Sequence, residues 1–258
     1  MTKTPEKSEG SSSKTRVALV TGGSGGIGQA IVRKLAETHD LVVLTYRKNL
    51  PHALVDELGS TVLPQQLDVS DPAATEQLFA EVTHSHGDVS TLVHAAGPHV
   101  PMTHLSKVSP EQFASQANQD LNGFFNVIHA AIPSLRRTSG SVVVVTTAAT
   151  TRYPVRDGLS AAPKGGVEAL ARAFAAEEGR FGIRVNCVGP GMLTDGMSAR
   201  LMESGDLDAR ALEVAHANIP LRRFGSSMDI AEAVAFLASD KAGFITGQKL
   251  DIDGGYGV

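Results

Sequence analysis

Short apolar runs alternate with longer amphipathic segments along most of the chain. The apolar runs are of strand length and rich in β-branched residues, which is typical of strands buried on both faces of a sheet. The predicted strands cover residues 17–20, 41–45, 62–67, 92–97, 141–146, 183–188 and 249–252. Helical spacing predicts a long helical region over about 110–136 and another helix that begins near Ser160.

Strict alternation of strand and helix predicts parallel strands joined by right-handed crossovers, with helices on both faces. We therefore expect a single α/β domain over residues 15–258, with a doubly wound parallel sheet of the Rossmann type and about seven strands. Residues 1–14 are polar and lack an apolar core, so a disordered leader is expected rather than a signal peptide or a membrane span. In such a sheet the turns after the strands converge on one ligand cleft.

The turn after the first strand is rich in glycine and leads into an amphipathic helix. It consists of Thr21, Gly22, Gly23, Ser24, Gly25, Gly26, Ile27 and Gly28. We expect Gly22 and Gly26 to take backbone angles closed to other residues, and Gly28 to let the helix pack on the strand. Because the first amides of the helix have no intrahelical partner, the turn predicts a pyrophosphate site and hence nucleotide binding.

Composition narrows the class of partner. The chain has 258 residues and a net charge of -4, without a block rich in lysine and arginine, which argues against nucleic acid and anionic membranes and favours a small-molecule substrate. The lone cysteine, Cys187, lies in an apolar run, so we expect a buried, inert thiol and a reducing, cytoplasmic location. His94 is expected to pack in the core and His99 to face substrate; neither has a second ligand at zinc-like spacing, so no metal site is predicted.

Several motifs occur together in an order that resembles the short-chain dehydrogenase/reductase family. They are residues 21–28, Leu67-Asp68-Val69, His94-Ala95-Ala96-Gly97, Pro190-Gly191, Arg223-Phe224-Gly225, Ile245-Thr246-Gly247-Gln248 and Asp253-Gly254-Gly255. The resemblance runs from about Arg16 to the C-terminus and is strongest to the acyl-carrier-protein ketoreductase branch. It implies an oxidoreductase that works as a homodimer or homotetramer, paired through the small-residue helix after Lys164 and the tail 253–258.

The cofactor is predicted from the end of the second strand. An acidic residue there binds the ribose of NAD, whereas a basic residue accommodates the extra phosphate of NADP. The sequence reads Thr45-Tyr46-Arg47-Lys48, so Arg47 favours NADP(H), the alternative being that Arg47 and Lys48 form only a solvated loop. By resemblance, Asp68 binds the adenine amino group; the alternative is a helix cap. The resemblance adds as cofactor contacts Ser24, Gly25, Ile27, Val69, Ala95, Ala96, Gly97, Lys164, Pro190, Gly191 and Thr194.

The resemblance implies a catalytic tyrosine four residues before a lysine, but this chain departs from it. Lys164 matches the lysine, and Ser160 occupies the tyrosine position. The chain has three tyrosines, Tyr46, Tyr153 and Tyr256, and none has a lysine four residues later. The family's catalytic serine and asparagine positions hold Thr147 and Asp120.

These exchanges leave several roles open. A serine hydroxyl is less acidic and shorter than a phenol, so Ser160 would act through a water or would serve mainly as the N-cap of a helix with Pro163 in its first turn. Asp120 is expected to neutralise Lys164 in an ion pair. Tyr153 is a candidate replacement acid, the alternative being a lid or a substrate wall.

Three functions fit these residues. The first is NADP(H)-dependent reduction of a ketone, or oxidation of an alcohol, on a small or thioester-type substrate, with the proton coming from water, Tyr153 or the substrate. The second is a catalytically impaired NADP(H)-binding protein that keeps the cofactor for folding, for sensing or for pairing with an active family member. The third is non-redox isomerisation or cyclisation, with Asp120 or Asp157 as acid and base. A helix containing Met197, Leu201 and Met202 would form an apolar lid over the substrate or belong to the core.

Overall fold

Seven parallel strands form one sheet at the centre of the molecule. The computed structural model describes residues 15–98, 100–195 and 209–258. The strands are β1 (Val17–Thr21), β2 (Leu41–Tyr46), β3 (Val62–Gln66), β4 (Val89–His94), β5 (Ser141–Val145), β6 (Arg184–Pro190) and β7 (Lys249–Ile252). Their spatial order is β3-β2-β1-β4-β5-β6-β7, so the order reverses between β1 and β4. The predicted doubly wound sheet is confirmed, and this reversal opens a crevice beyond the carboxyl ends of β1 and β4.

Helices cover both faces of the sheet. They are α1 (Gly26–Ala36), α2 (His52–Leu58), α3 (Pro72–His86), α4 (Pro110–Ala117), α5 (Gly123–Thr138), α6 (Gly158–Glu178), α7 (Ala209–Asn218) and α8 (Ser227–Ala238). One core cluster joins the sheet to α3, α5 and α6 through residues such as Phe79, Phe124 and Val167. The other joins it to α1, α2 and α8 through Ile31, Leu54 and Ile230.

The strands lie where the apolar runs predict them, with shifts of more than one residue at three ends. β4 starts at Val89 and ends at His94, earlier than predicted, and β6 extends to Pro190. The predicted helical region over 110–136 is divided by a π-helical turn, Asn118–Asn122, between α4 and α5. None of the helices in the described ranges is long and apolar enough to cross a membrane.

The helix that carries Ser160 begins earlier than predicted. α6 starts at Gly158 with Asp157 as its N-cap, so the interpretation of Ser160 as the cap is wrong. Ser160 lies in the first turn, where its N–H donates to the Asp157 carbonyl over 3.0 Å. Pro163 lies beyond that turn, inside the helix. Leu105 packs closely on this start, because a Cβ added at Gly158 would lie only 2.6 Å from Leu105 Cδ1.

Two core residues behave as predicted. Cys187 lies in β6, where burial raises the pKa of its thiol to about 12 and keeps it protonated and unreactive. His94 is 2% exposed, and its Nδ1 is 2.9 Å from the hydroxyl of Thr21 on the adjacent strand β1. Burial, aided by the charge of Lys164, lowers the pKa of His94 to about 3, so the imidazole is neutral.

Candidate active site

A cavity of about 380 Å³ occupies the crevice at the carboxyl ends of β1, β2 and β4. The glycine turn forms its floor, and the segments that follow β2, β3 and β4 form its walls. The lining residues are Gly22, Ser24, Gly25, Thr45, Tyr46, Arg47, Lys48, Asn49, Leu67, Asp68, Val69, Ala95, Ala96, Gly97, Pro98 and Gln119. Most of the predicted cofactor contacts therefore meet in one place.

Two glycines of the turn lie too close to other backbone atoms to carry a side chain. Gly22 has φ 71°, and a Cβ there would lie 2.6 Å from the Ala95 carbonyl oxygen. A Cβ at Gly28 would lie 2.1 Å from the Gly22 carbonyl oxygen, so Gly28 lets α1 pack on the turn itself. The expectation for Gly26 is wrong in its conformation: Gly26 is the first residue of α1 and does not have a positive φ.

The N-terminus of α1 is open toward the cavity. Its N-cap, Gly25, provides no side-chain hydrogen bond to the first turn, and that turn contains no acidic residue. The first amides of a helix then keep their donors free, and the helix dipole places partial positive charge beside them. These features fit the pyrophosphate of a dinucleotide, which needs close access to the main chain. Ile27, in the same turn of α1, packs partly buried against the core.

Arg47 follows β2 directly and lies on the rim of the cavity. Its Nη1 donates to Gln119 Oε1 over 3.2 Å, and its side chain is exposed. Gln119 belongs to the π-helical turn and was not predicted as a site residue. Its position directly before Asp120, a predicted site residue, could have indicated that it lies near the site. The carboxyl end of β2 carries Thr45 and Tyr46 and no acid, so Arg47 gives this part of the rim a positive charge.

Asp68 orders its own turn and does not cap a helix. Asp68 Oδ1 accepts hydrogen bonds from the Ser70 N–H (3.0 Å) and hydroxyl (2.7 Å), which hold the pKa of this carboxyl below its ordinary value. Asp71 is the N-cap of α3 and accepts from the Ala74 N–H. The cap interpretation of Asp68 is therefore wrong. Val69 packs against Gly123 at the start of α5.

The ion pair expected between Lys164 and Asp120 is present. Lys164 Nζ lies 3.2 Å from Asp120 Oδ2, with the two side chains 15% and 3% exposed. Gln116 Nε2 also donates to Asp120 Oδ2, over 2.6 Å, a contact that sequence reasoning missed. A Cβ at Gly97 would lie 3.6 Å from Asp120 Oδ1 and 3.9 Å from Lys164 Nζ, so the pair adjoins the cofactor cavity.

Two hydroxyl side chains predicted as catalytic, those of Thr147 and Ser160, lie on separate elements. Thr147 follows β5, and its hydroxyl oxygen accepts the Ala149 N–H over 3.1 Å. The hydroxyl hydrogen of Thr147 thus remains able to donate to a substrate oxygen. Ser160 is 9% exposed, and its hydroxyl lies much closer to the backbone than a phenol hydroxyl would.

Two further candidates for proton transfer lie in the segment before α6. Tyr153 is 65% exposed, which places its phenol largely in solvent. Asp157 is half-buried, and burial raises the pKa of its carboxyl while the charge of Lys164 opposes that shift. A carboxyl whose pKa is raised by burial carries a proton closer to neutral pH than an exposed one.

The remaining predicted contacts lie beside β6 and β7. Gly191 donates its N–H to the Ile252 carbonyl, and Thr194 donates its N–H to the Gly225 carbonyl over 2.9 Å. Pro190, Gly191 and Thr194 do not line the 380 Å³ cavity. His99, Met197, Leu201 and Met202 lie outside the described residues. Across the described ranges, no group of three His, Cys, Asp or Glu side chains could hold a metal ion.

The fold, the glycine turn and the crevice together are those of the class of doubly wound dinucleotide-binding proteins. Within it, the chain belongs to the short-chain dehydrogenase/reductase family of oxidoreductases: a family model described as enoyl-(acyl carrier protein) reductase matches residues 22–257. The 3-oxoacyl-[acyl-carrier-protein] reductase FabG of Staphylococcus epidermidis is 36% identical over 244 residues, covering 92% of this chain and 97% of that protein.

Other relatives differ in the substrate that their names give. L-fucose dehydrogenase of Rattus norvegicus is 32% identical over 243 residues, covering 93% of this chain and 88% of its own length. The crystal structure of levodione reductase superposes with a TM-score of 0.87 at 29% identity, covering 94% of this chain and 97% of that one. The comparisons thus establish the family and leave the substrate to be argued from the site.

Proposed function

We propose that the protein is an NADP(H)-dependent oxidoreductase that reduces a ketone, or oxidises the corresponding alcohol, on a small or thioester-type substrate without a catalytic tyrosine. The observation that carries this proposal is the contact between the cofactor cavity and the Lys164–Asp120 pair at Gly97. It brings a cationic side chain and the open end of α1 to one crevice, as hydride transfer from a bound dinucleotide requires.

The residues present fit the cofactor. The first turn of α1 would hold the pyrophosphate, and Arg47 would bind the 2′-phosphate that distinguishes NADP from NAD. Asp68 and Val69, which line the cavity, would contact the adenine, and Lys164 would bind the nicotinamide ribose. When bound, NADPH supplies the hydride; the chain supplies position, charge and a proton.

The catalytic roles follow from which side chains can still donate a hydrogen to the substrate. Thr147 donates its hydroxyl hydrogen to the substrate carbonyl oxygen and polarises the carbonyl bond. We assign the proton to Asp157, delivered through a water beside Ser160, because Asp157 is half-buried near Lys164 whereas Tyr153 is largely in solvent. Hydride addition at the carbonyl carbon and proton addition at the oxygen then complete the reduction.

A second candidate is a catalytically impaired NADP(H)-binding subunit that pairs with an active family member. The ion pair favours it, because Asp120 compensates the Lys164 charge that would otherwise act on a neighbouring acid. For the active oxidoreductase we propose a cytoplasmic homodimer or homotetramer, whereas the impaired subunit would associate with the active family member.

Restoring the tyrosine separates the two candidates. We expect Ser160→Tyr to raise the rate of NADPH oxidation with β-keto thioesters and activated diketones by up to roughly 10²- to 10⁴-fold, the usual contribution of a general acid, and by less to the extent that Asp157 already supplies the proton. Ser160→Phe is the matched control, because it fills the same space without a hydroxyl. Equal, negligible rates for both variants, with NADPH still bound in calorimetry, would support the impaired subunit instead.

A further inference from the structure

A second concavity of about 370 Å³ lies outside the cofactor cavity. It forms where the segment after β4 meets the segment before α6, held together by the Thr103 N–H, which donates to the Arg156 carbonyl over 3.0 Å. Its lining residues are Met102, Thr103, His104, Lys107 and Arg156. Three of these five side chains are basic, and none is acidic.

Arg156 is held in a fixed position. Its Nε and Nη2 both donate to the Met102 carbonyl oxygen, over 3.0 and 2.8 Å, which occupies one edge of the guanidinium. The hydrogens on Nη1 and the outer hydrogen on Nη2 form a second edge, which is free for a planar, bidentate acceptor. A fixed arginine loses less side-chain entropy when it binds an anion than a mobile one.

No described residue forms an ion pair with Arg156 or Lys107 in this concavity. Among residues 15–98, 100–195 and 209–258, no carboxylate oxygen lies within 4.0 Å of the Arg156 or Lys107 nitrogens. The chain has 27 acidic and 23 basic residues, so carboxylates are in excess. Elsewhere, arginines such as Arg33 and Arg136 pair with glutamates. Two unpaired cations in one concavity, in an acidic protein, indicate a site for an external anion.

This concavity lies beside the proposed catalytic residues. Arg156 directly precedes Asp157, the N-cap of α6, and Ser160 follows within the first turn of that helix. Leu105, from the opposite segment, packs on Gly158. The segment that reaches the concavity starts at Pro98, which lines the cofactor cavity. A substrate that places its carbonyl at Thr147 and Ser160 can thus extend toward Arg156.

We infer that this concavity binds an anionic group of the substrate, a carboxylate or a phosphate, with Arg156 and Lys107 as its ligands. The inference rests on the proposed function for one of its parts, the position of the substrate carbonyl. The anion site itself is argued from Arg156 and Lys107 alone. It narrows the substrate from any ketone to one that carries a negative charge remote from the reacting carbon.

Calorimetric titration tests the anion site without requiring turnover. The probes are 5-oxohexanoate and its methyl ester, which differ in charge and share the ketone, added to the NADPH-saturated protein. We expect the acid to bind about 10-fold or more tightly than the ester, as is usual for hydrogen bonds to charged groups. Arg156→Gln and Lys107→Gln should each reduce that preference, whereas Lys241→Gln, an exposed lysine outside the concavity, should leave it unchanged.

Three results would overturn the inference. The acid and the ester bind equally; the acid does not bind up to about 10 mM, which exceeds the usual KM range; or the preference for the acid is unchanged in both variants. If Arg156→Gln does not fold, Lys107→Gln and the loss of the acid preference at high salt still decide the question. NADPH oxidation is recorded with the same samples. Tighter binding of the acid without NADPH oxidation would support the anion site and count against the proposed reaction. NADPH oxidation with both probes, without tighter binding of the acid, would support the reaction and count against the anion site.

Discussion

At the scale of the residue, Arg47 determines the predicted choice between the two nicotinamide cofactors. The 2′-phosphate of NADP would replace Gln119 as the partner of the Arg47 guanidinium and add charge to the hydrogen bond. We expect Arg47→Ala to weaken NADPH binding by about 10- to 100-fold, the equivalent of about 1.5–3 kcal/mol for a hydrogen bond to a charged group. NADH binding should hardly change. Calorimetry with both cofactors measures this, and an equal loss for both would contradict the assignment of Arg47.

His94 makes the stability of the fold depend on pH. In the unfolded chain its pKa is about 6.5, whereas in the folded chain burial lowers the pKa to about 3. Between these values the unfolded state binds more protons, so the free energy of unfolding falls as the pH decreases from 6.5. From pH 6.5 to 4.5, before most carboxylates titrate, His94 should account for a loss of about 2–3 kcal/mol.

Urea unfolding across this pH window measures the effect. His94→Asn keeps a hydrogen-bond partner for the Thr21 hydroxyl and does not titrate, so its stability should change less with pH than that of the wild type. His52→Asn, at an exposed position, should keep the wild-type slope. A residual slope is expected in His94→Asn, because burial also lowers the pKa of His39.

At the scale of the element, α6 offers two adjacent glycines in different surroundings. A Cβ at Gly165 would meet only Thr150 Cγ2, at an ordinary contact distance of 3.8 Å, whereas a Cβ at Gly166 would lie 3.1 Å from Leu121 Cδ1. We expect Gly165→Ala to raise the free energy of unfolding by about 0.5–1 kcal/mol, since alanine restricts the unfolded backbone more than glycine does. Gly166→Ala should gain less, because Leu121 must move. Equal gains in urea unfolding would show that Leu121 shifts freely.

The elements also show how far the sequence predicts this fold. Strands buried on both faces appear as continuous apolar runs, so their number and order along the chain were predictable. The glycine turn was likewise predictable, because glycine is the residue that adopts a positive φ and lets another backbone segment approach closely. Gly22 does both. The start of α6 was not predictable, since Ser160 followed by Pro163 has the local pattern of an N-cap and the contact of Gly158 with Leu105 joins residues distant in the chain. The anion concavity escaped prediction for the same reason: Arg156 and Met102 are 54 residues apart.

At the scale of the whole molecule, exposed aromatic side chains bear on the proposed oligomer. Phe125 on α5 is 45% exposed and packs beside Phe174 on α6, with ring centroids 6.2 Å apart. Phe244 is fully exposed near β7. Exposed apolar side chains grouped on a helical face are typical of surfaces that a second subunit covers. Since α6 also carries Ser160 and Lys164, association through this face would support the helix on which the proposed site is built.

We therefore expect light scattering to give the wild type a mass of at least two chains, and Phe125→Glu to shift it toward a smaller species. A glutamate at the centre of an apolar contact would leave a charge buried without a partner, which costs several kcal/mol and opposes association. Val214→Glu is the control, since it places the same charge at another exposed apolar position, on α7. A monomeric wild type would contradict the homo-oligomer. If Phe125→Glu keeps the mass of the wild-type oligomer, the interface lies on another surface. Phe244→Glu then tests the surface near β7.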